Sequence, residues 1–193
     1  MSIASVGEDS KFAKYLNKQI EKKLEDEPES TSKSVFDVFG GGNSGNGIGS
    51  SIVNYAKKFL GCNEADGSAD KFLGGGSSSA TAWCAAFVKY VVEHVMGGKA
   101  PSWYKNVGNK WYCPDIGQAA ESAKKTVSAS KAKPGDIVLF QDGGGGYDRF
   151  YHIGIVKSNK GGKITTIEGN SSDQVKSNSY SVNDSRLTIC KMA

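Results

Sequence analysis

Few side chains in this sequence are suited to covalent or acid–base chemistry, and the four cysteines and two histidines stand out among them. Cys84 is the best placed of the thiols. It lies in Ala82-Trp83-Cys84-Ala85-Ala86-Phe87-Val88, where a Ser/Thr-rich loop enters an apolar run that reads as a helix from about Ala82 to Met96. A sulfur there faces backbone N–H groups without intrahelical partners and the positive end of the helix dipole, which favours a thiolate. The helix end is not sufficient by itself. Lowering a thiol from about 8.5 to about 4 takes roughly 6 kcal/mol, and a helix terminus supplies at most ~2. A nearby cation must supply the rest, and an imidazolium is the natural one.

His94 lies ten residues along the same helix, about 15 Å away at 1.5 Å per residue and out of hydrogen-bond reach. His152 is left as the candidate base. It opens the apparent strand His152-Ile153-Gly154-Ile155-Val156, directly after the glycine run Gly143 to Gly146. The next strand ends in Ile167-Glu168-Gly169-Asn170. Side chains two apart on a strand share a face. With Ile167 toward the core, Glu168 and Asn170 can both face the imidazole and orient it. Glu168 is favoured because its charge also supports a thiolate–imidazolium pair, with Asn170 as alternate or support. Trp83, beside the nucleophile, and Tyr151, beside the base, are the candidate substrate-contacting residues.

These groups need elements to hold them. Ile52, Tyr55, Ala56, Phe59 and Leu60 repeat at helical spacing and stop at Gly61. The helix carrying Cys84 is apolar over much of its circumference, as a central buried helix is. A third helix is expected over 117–125, with Asp115 as a possible N-cap. After Lys133 the sequence changes to short apolar runs between turns, giving strands at about 136–141, 150–158, 163–169, 174–181 and 186–191. Helices followed by a meandering antiparallel sheet of about five strands define an α+β fold.

Composition divides the chain into three parts. Residues 1–26 contain an amphipathic helix with Phe12, Leu16, Ile20 and Leu24 on one face. Residues 27–50, rich in Ser and Gly, read as a flexible linker. Residues 51–193 form the domain that carries Cys84, His152 and Glu168. The glycines before Ser50 are not a phosphate loop, since no G-K-[ST] follows them.

No two cysteines form a C-x-x-C pair, and two histidines add little, so a zinc site is not expected. Cys62, Cys113 and Cys190 read as packing residues or an incidental disulfide. Trp103 and Trp111 are read as core more than groove. Asn63, Glu64, Asp66, Ser68 and Asp70, with Gly67, make a candidate calcium loop. It lacks the alternating ligands and closing Glu of an EF-hand, so a solvated polar loop is the reading and no cofactor is expected.

A net charge of +4 with scattered lysines gives no nucleic-acid footprint. There is no membrane span of ~20 apolar residues and no signal-peptide core near Met1. Action outside a cell would then need another delivery route.

Four segments together resemble the CHAP amidohydrolase/peptidase domains of the NlpC/P60-like, papain-related cysteine hydrolases. They are Trp83-Cys84-Ala85-Ala86-Phe87-Val88, Lys133-Pro134-Gly135-Asp136-Ile137-Val138-Leu139-Phe140, His152-Ile153-Gly154-Ile155-Val156 and Thr166-Ile167-Glu168-Gly169-Asn170-Ser171. They occur in the family's order and spacing over residues 50–193. The resemblance implies a papain-like fold and cleavage of an amide in peptidoglycan, by an N-acetylmuramoyl-L-alanine amidase or an endopeptidase of the stem or cross-bridge. It is similar to lysins of phages and mobile elements of Gram-positive bacteria, which implies an extracellular, cell-wall or virion-associated setting. The N-terminal helix would then dock on a particle, self-associate or pack on the catalytic domain. The loop before His152 departs from the Asp- and Asn-rich form of many relatives, which argues against a cation there. A papain-like toxin or deamidase acting on proteins would use the same three residues, and a wall-binding module would have lost them.

Overall fold

The computed structural model of the protein describes residues 47–192. The helix expected within residues 1–26 and most of the expected linker, up to residue 46, lie outside the described residues. The first described helix, α1 (Ile48–Lys57), starts before the linker was expected to end. Gly49 is a contact and not a spacer. Its backbone lies against Pro134 and Gly135 so closely that a Cβ would collide with the Pro134 carbonyl.

Helix α1 buries Ile52, Val53 and Ala56. Its Tyr55 ring stacks on His94 at 4.0 Å. That contact makes His94 a packing residue between α1 and α2 (Cys84–Met96). Helix α2 is buried along Ala85, Phe87, Val88, Val91 and Val92, as its all-round apolar sequence requires. The short α3 (Ser102–Lys105) precedes α4 (Cys113–Ser122).

Helix α4 corrects the expected start at Gly117. Pro114 sits in its first turn, where no backbone N–H is needed, and Tyr112 occupies the N-cap position. Asp115 is therefore inside the helix and not its cap. Its carboxylate accepts from the Asn109 N–H at 3.1 Å and from the Tyr147 hydroxyl.

The sheet has six antiparallel strands: β1 (Thr126–Val127), β2 (Ile137–Gln141), β3 (Phe150–Lys160), β4 (Lys163–Glu168), β5 (Lys176–Ser181) and β6 (Leu187–Cys190). Their order is β1-β6-β2-β3-β4-β5. The additional strand, β1, is two residues long and too short to show a period in the sequence.

The sheet has an apolar layer on each face. Ile137, Leu139, Ile153, Ile155 and Ile167 join the helices in one core. Val138, Phe140, Val156, Ile164, Leu187 and Ile189 form the other, closed by Ala129 and Ala132. Burial on both faces explains why β2 reads as a continuous apolar run and not an alternating one.

The turn before β2 fixes the chain in two places. Gly135 adopts φ +87°. The buried Asp136 carboxylate accepts from the N–H of Lys133 at 2.9 Å and of Met192 at 3.0 Å. It thereby joins the start of β2 to the residues after β6. Burial raises its pKa above the usual carboxylate value, opposed by those two hydrogen bonds.

The end of β4 is pressed against α2. A Cβ on Gly169 would overlap Phe87 and lie 2.9 Å from the Trp83 ring. We expect Gly169→Ala to destabilise the domain by about 1–3 kcal/mol, the usual range for overpacking. The check is urea denaturation, with a lower midpoint at an unchanged slope.

Candidate active site

Cys84 is the first residue of α2, and the first intrahelical bond runs from the Phe87 N–H to the Trp83 carbonyl at 2.9 Å. The sulfur therefore sits among the free N–H groups of the helix start, and the Ala85 N–H donates to it. Cys84 is only 7% exposed. It nevertheless lines a groove of about 420 Å³ together with Tyr151, His152, Glu168 and Arg186.

His152 lies near the start of β3, opposite Phe140 of β2. Its Nε2 is 2.9 Å from Glu168 Oε2. Cys84 is near enough for its sulfur and the imidazole to shift each other's pKa. With Nε2 on the carboxylate, Nδ1 is the nitrogen left for sulfur.

Glu168 is the last residue of β4 and is 1% exposed. A buried carboxylate must be densely hydrogen-bonded to remain charged. Besides His152 it accepts from Thr166 Oγ1, from Asn178 Nδ2 at 2.9 Å and from the Tyr180 hydroxyl at 3.3 Å. Thr166 is two residues back on the same strand face, and Asn178 and Tyr180 come from the neighbouring β5. Gly154 lets β3 approach, since a Cβ there would lie 2.6 Å from Glu168 Cγ.

The electrostatics follow from these contacts. Burial works to raise the pKa of Glu168, but the hydrogen bonds from His152, Thr166 and Asn178 and the His152 charge prevail and hold it below the usual value. Burial likewise works to lower that of His152. Hydrogen bonds and charge from Cys84 and Glu168 prevail and raise it to about 9.

Cys84 is lowered to about 5. A hydrogen bond from Cys113 is the largest cause, His152 adds to it, and burial opposes both. The pair exists as thiolate and imidazolium between those two values.

Two of the expected contacts are not made. Asn170 does not bond the imidazole, because the strand ends at Glu168 and Asn170 adopts a left-handed φ of +55°. With its amide oriented to match donors with acceptors, its oxygen accepts from the Trp83 N–H at 3.3 Å and its nitrogen donates to Glu64 Oε1 at 3.2 Å. Asn170 thus holds the loop before the nucleophile and still lines the groove.

Trp83 does not line the groove with its ring. It is fully buried, stacked on Phe72 at 5.6 Å, and donates from Nε1 to Glu64 Oε1 at 2.8 Å. Tyr151 is exposed on the groove rim. Trp103 is buried and Trp111 exposed.

Sequence reasoning missed the surroundings of the three groups. Thr166 was legible from the same alternation that singled out Glu168. Asn178 and Tyr180 required the β4–β5 register. Cys113 had no local signal, yet its sulfur is 3.7 Å from that of Cys84.

The loop 63–70 satisfies its own polar groups. Asn63 and Ser68 bond Asp66, and Asp70 accepts from Ser78 N–H and Oγ at 2.7 Å each. The loop before His152 is tied to α4 by Tyr112–Asp148 at 2.5 Å, by Tyr147–Asp115 and by Arg149–Glu121.

The fold is α+β: a helix start set against an antiparallel sheet, with cysteine, histidine and carboxylate at their junction. Residues 76–170 match the CHAP domain family.

No curated protein matches the chain. Similar solved structures include the peptidoglycan hydrolase RipB from Mycobacterium tuberculosis, at 15% identity over 96% of this chain and 87% of RipB, TM-score 0.45. Ly7917 is similar at 14% identity over 74% of this chain, TM-score 0.44. The match spans 62% of the length of Ly7917.

Glu168→Gln tests the electrostatic coupling directly. Removing the carboxylate charge removes two of the influences that raise His152, so its pKa should fall from about 9. A pH titration of the imidazole by NMR reads the change, and an unmoved value would show that Glu168 does not set the charge of the ring.

Proposed function

We propose that the protein is a peptidoglycan hydrolase that cleaves an amide bond of the wall peptide through Cys84. The observation carrying this reading is the grouping of Cys84, His152 and Glu168 on one groove, with His152 bonded to Glu168 and coupled to Cys84. The match of residues 76–170 to the CHAP domain family supports the substrate class. The phage-type or tail-associated lysin reading rests on the motif resemblance and is the finer part of the proposal. On that reading the substrate lies outside the cell.

The Cys84 thiolate attacks the carbonyl carbon of the scissile amide. The developing oxyanion is met by the Cys84 backbone N–H, one of the unpaired donors at the start of α2. His152 gives its proton to the leaving amine, and a thioester to Cys84 remains. Neutral His152 then takes a proton from water, which attacks the thioester and releases the acid. Glu168 keeps the ring oriented and stabilises the imidazolium. Tyr151 and Arg186 flank the groove where the peptide would lie. Asp184 holds Arg186 through two bonds of 3.0 and 2.7 Å.

Purified sacculi digested by wild type and by Cys84→Ala test this reading, with mass spectrometry of the fragments. Wild type should release peptides free of muramic acid if it is an amidase, or split stems or bridges if it is an endopeptidase. The variant should lose activity on the order of 10³-fold or more. Activity that survives in Cys84→Ala removes the nucleophile assignment. No release by wild type removes the wall as substrate and favours a protein substrate.

The pH profile follows from the charge states. The productive pair is thiolate with imidazolium, so kcat/KM should rise with pH through about 5 as Cys84 ionises. It should fall through about 9 as His152 loses its proton. Initial rates on solubilised wall fragments over that range check both limbs.

A further inference from the structure

Cys113 is a second thiol within the site, and the proposed hydrolysis uses it only as a hydrogen-bond donor to the Cys84 sulfur. Its sulfur lies 3.7 Å from that of Cys84, and both residues are buried. Each is the first residue of its helix, Cys84 of α2 and Cys113 of α4. Each therefore sits at the positive end of a dipole. Two thiolates at that distance would repel strongly, so one proton is retained between them. The hydrogen bond to Cys84, burial and the Cys84 charge push the Cys113 pKa far up, which assigns the proton to Cys113 and the charge to Cys84. The other two thiols stand apart from this pair. Cys62 receives Lys71 Nζ at 3.8 Å, and Cys190 is buried in β6.

We infer that Cys84 and Cys113 form a peroxide-sensitive dithiol, in which Cys113 captures oxidised Cys84 as a disulfide and switches the nucleophile off reversibly. This rests on the reading of Cys84 as the reactive thiolate. A disulfide needs S–S of about 2.05 Å, so the two sulfurs must close from 3.7 Å.

The chemistry balances with a hydroperoxide as oxidant. The Cys84 thiolate attacks the distal peroxide oxygen, the O–O bond breaks, and hydroxide leaves with a sulfenic acid on Cys84. The Cys113 sulfur then attacks that sulfur, the S–O bond breaks, and the Cys113 proton and the departing hydroxyl leave as water. Sulfur is oxidised and peroxide reduced by two electrons. An external dithiol restores both thiols by exchange.

Burial favours this route over further oxidation. The groove admits a molecule as small as hydrogen peroxide to Cys84, and a sulfenic acid formed there has a thiol already in van der Waals contact. Without Cys113 the sulfenic acid would remain open to a second peroxide and pass to sulfinic acid, which dithiols do not reduce.

The test treats the full chain with hydrogen peroxide, then splits each sample and adds dithiothreitol to one half. Peptide mapping should show a crosslinked peptide joining Cys84 to Cys113, lighter by two hydrogens than the two thiol peptides. The dithiothreitol half should regain free thiols, and wall-hydrolysing activity should be lost and recovered in parallel. Cys113→Ser and Cys113→Ala should instead accumulate sulfinic acid on Cys84 and not recover.

The mapping reads sulfur chemistry independently of substrate, so a protein inactive on sacculi still gives a decision. If wild-type Cys84 proceeds to sulfinic acid with no crosslink, or if the Cys113 variants recover as wild type does, the dithiol proposal is overturned.

Discussion

The buried negative charge of Glu168 is the constraint on which the rest of the site depends. A carboxylate almost wholly removed from water stays ionised only if the protein supplies what water would have supplied. Here His152, Thr166, Asn178 and Tyr180 supply it from three adjacent strands. The requirement reaches into the topology. β3 must come close, which Gly154 permits, and β5 must pair with β4 in a register that aims two alternate side chains inward.

From Glu168 the charge alternates toward the groove: carboxylate, imidazolium, thiolate, thiol. Each group is held in its state mainly by the next, and so the pKa values of His152 and Cys84 move in opposite directions although both are buried. Burial alone would make both neutral. The two apolar layers around the sheet keep these interactions from being diluted by solvent.

What the sequence revealed depended on how local each signal was. Five strand positions and the helix carrying Cys84 followed from periodicity, because their apolar residues bury where they lie. The positions of Cys84 and His152 at element starts were legible for the same reason. Alternation also placed Glu168 correctly on its strand face, but it failed two residues later. Asn170 has left the strand, and its left-handed backbone turns it to Trp83 and Glu64. Trp83 is likewise a boundary residue, whose side-chain direction no period fixes. The 3.7 Å approach of Cys113 spans 29 positions of sequence and depends on how α4 meets α2. Asp115 was misread as a cap because Pro114 had already started the helix.

The meeting of two helix starts at one pair of sulfurs also bears on how the domain holds together. Two helices that aim their positive ends at the same point repel each other unless negative charge lies between them. The Cys84 thiolate occupies that point, so it serves as counter-ion to both helix starts as well as the attacking atom. Helix α4 also anchors the loop that leads to His152, through Tyr112, Asp115 and Glu121. Neutralising one sulfur therefore changes the charge at the start of α4 but not its seat, which is the close packing of Gly117 on the Phe150 ring of β3. A nucleophile-free variant accordingly lacks the counter-ion of two helix starts as well as its attacking atom.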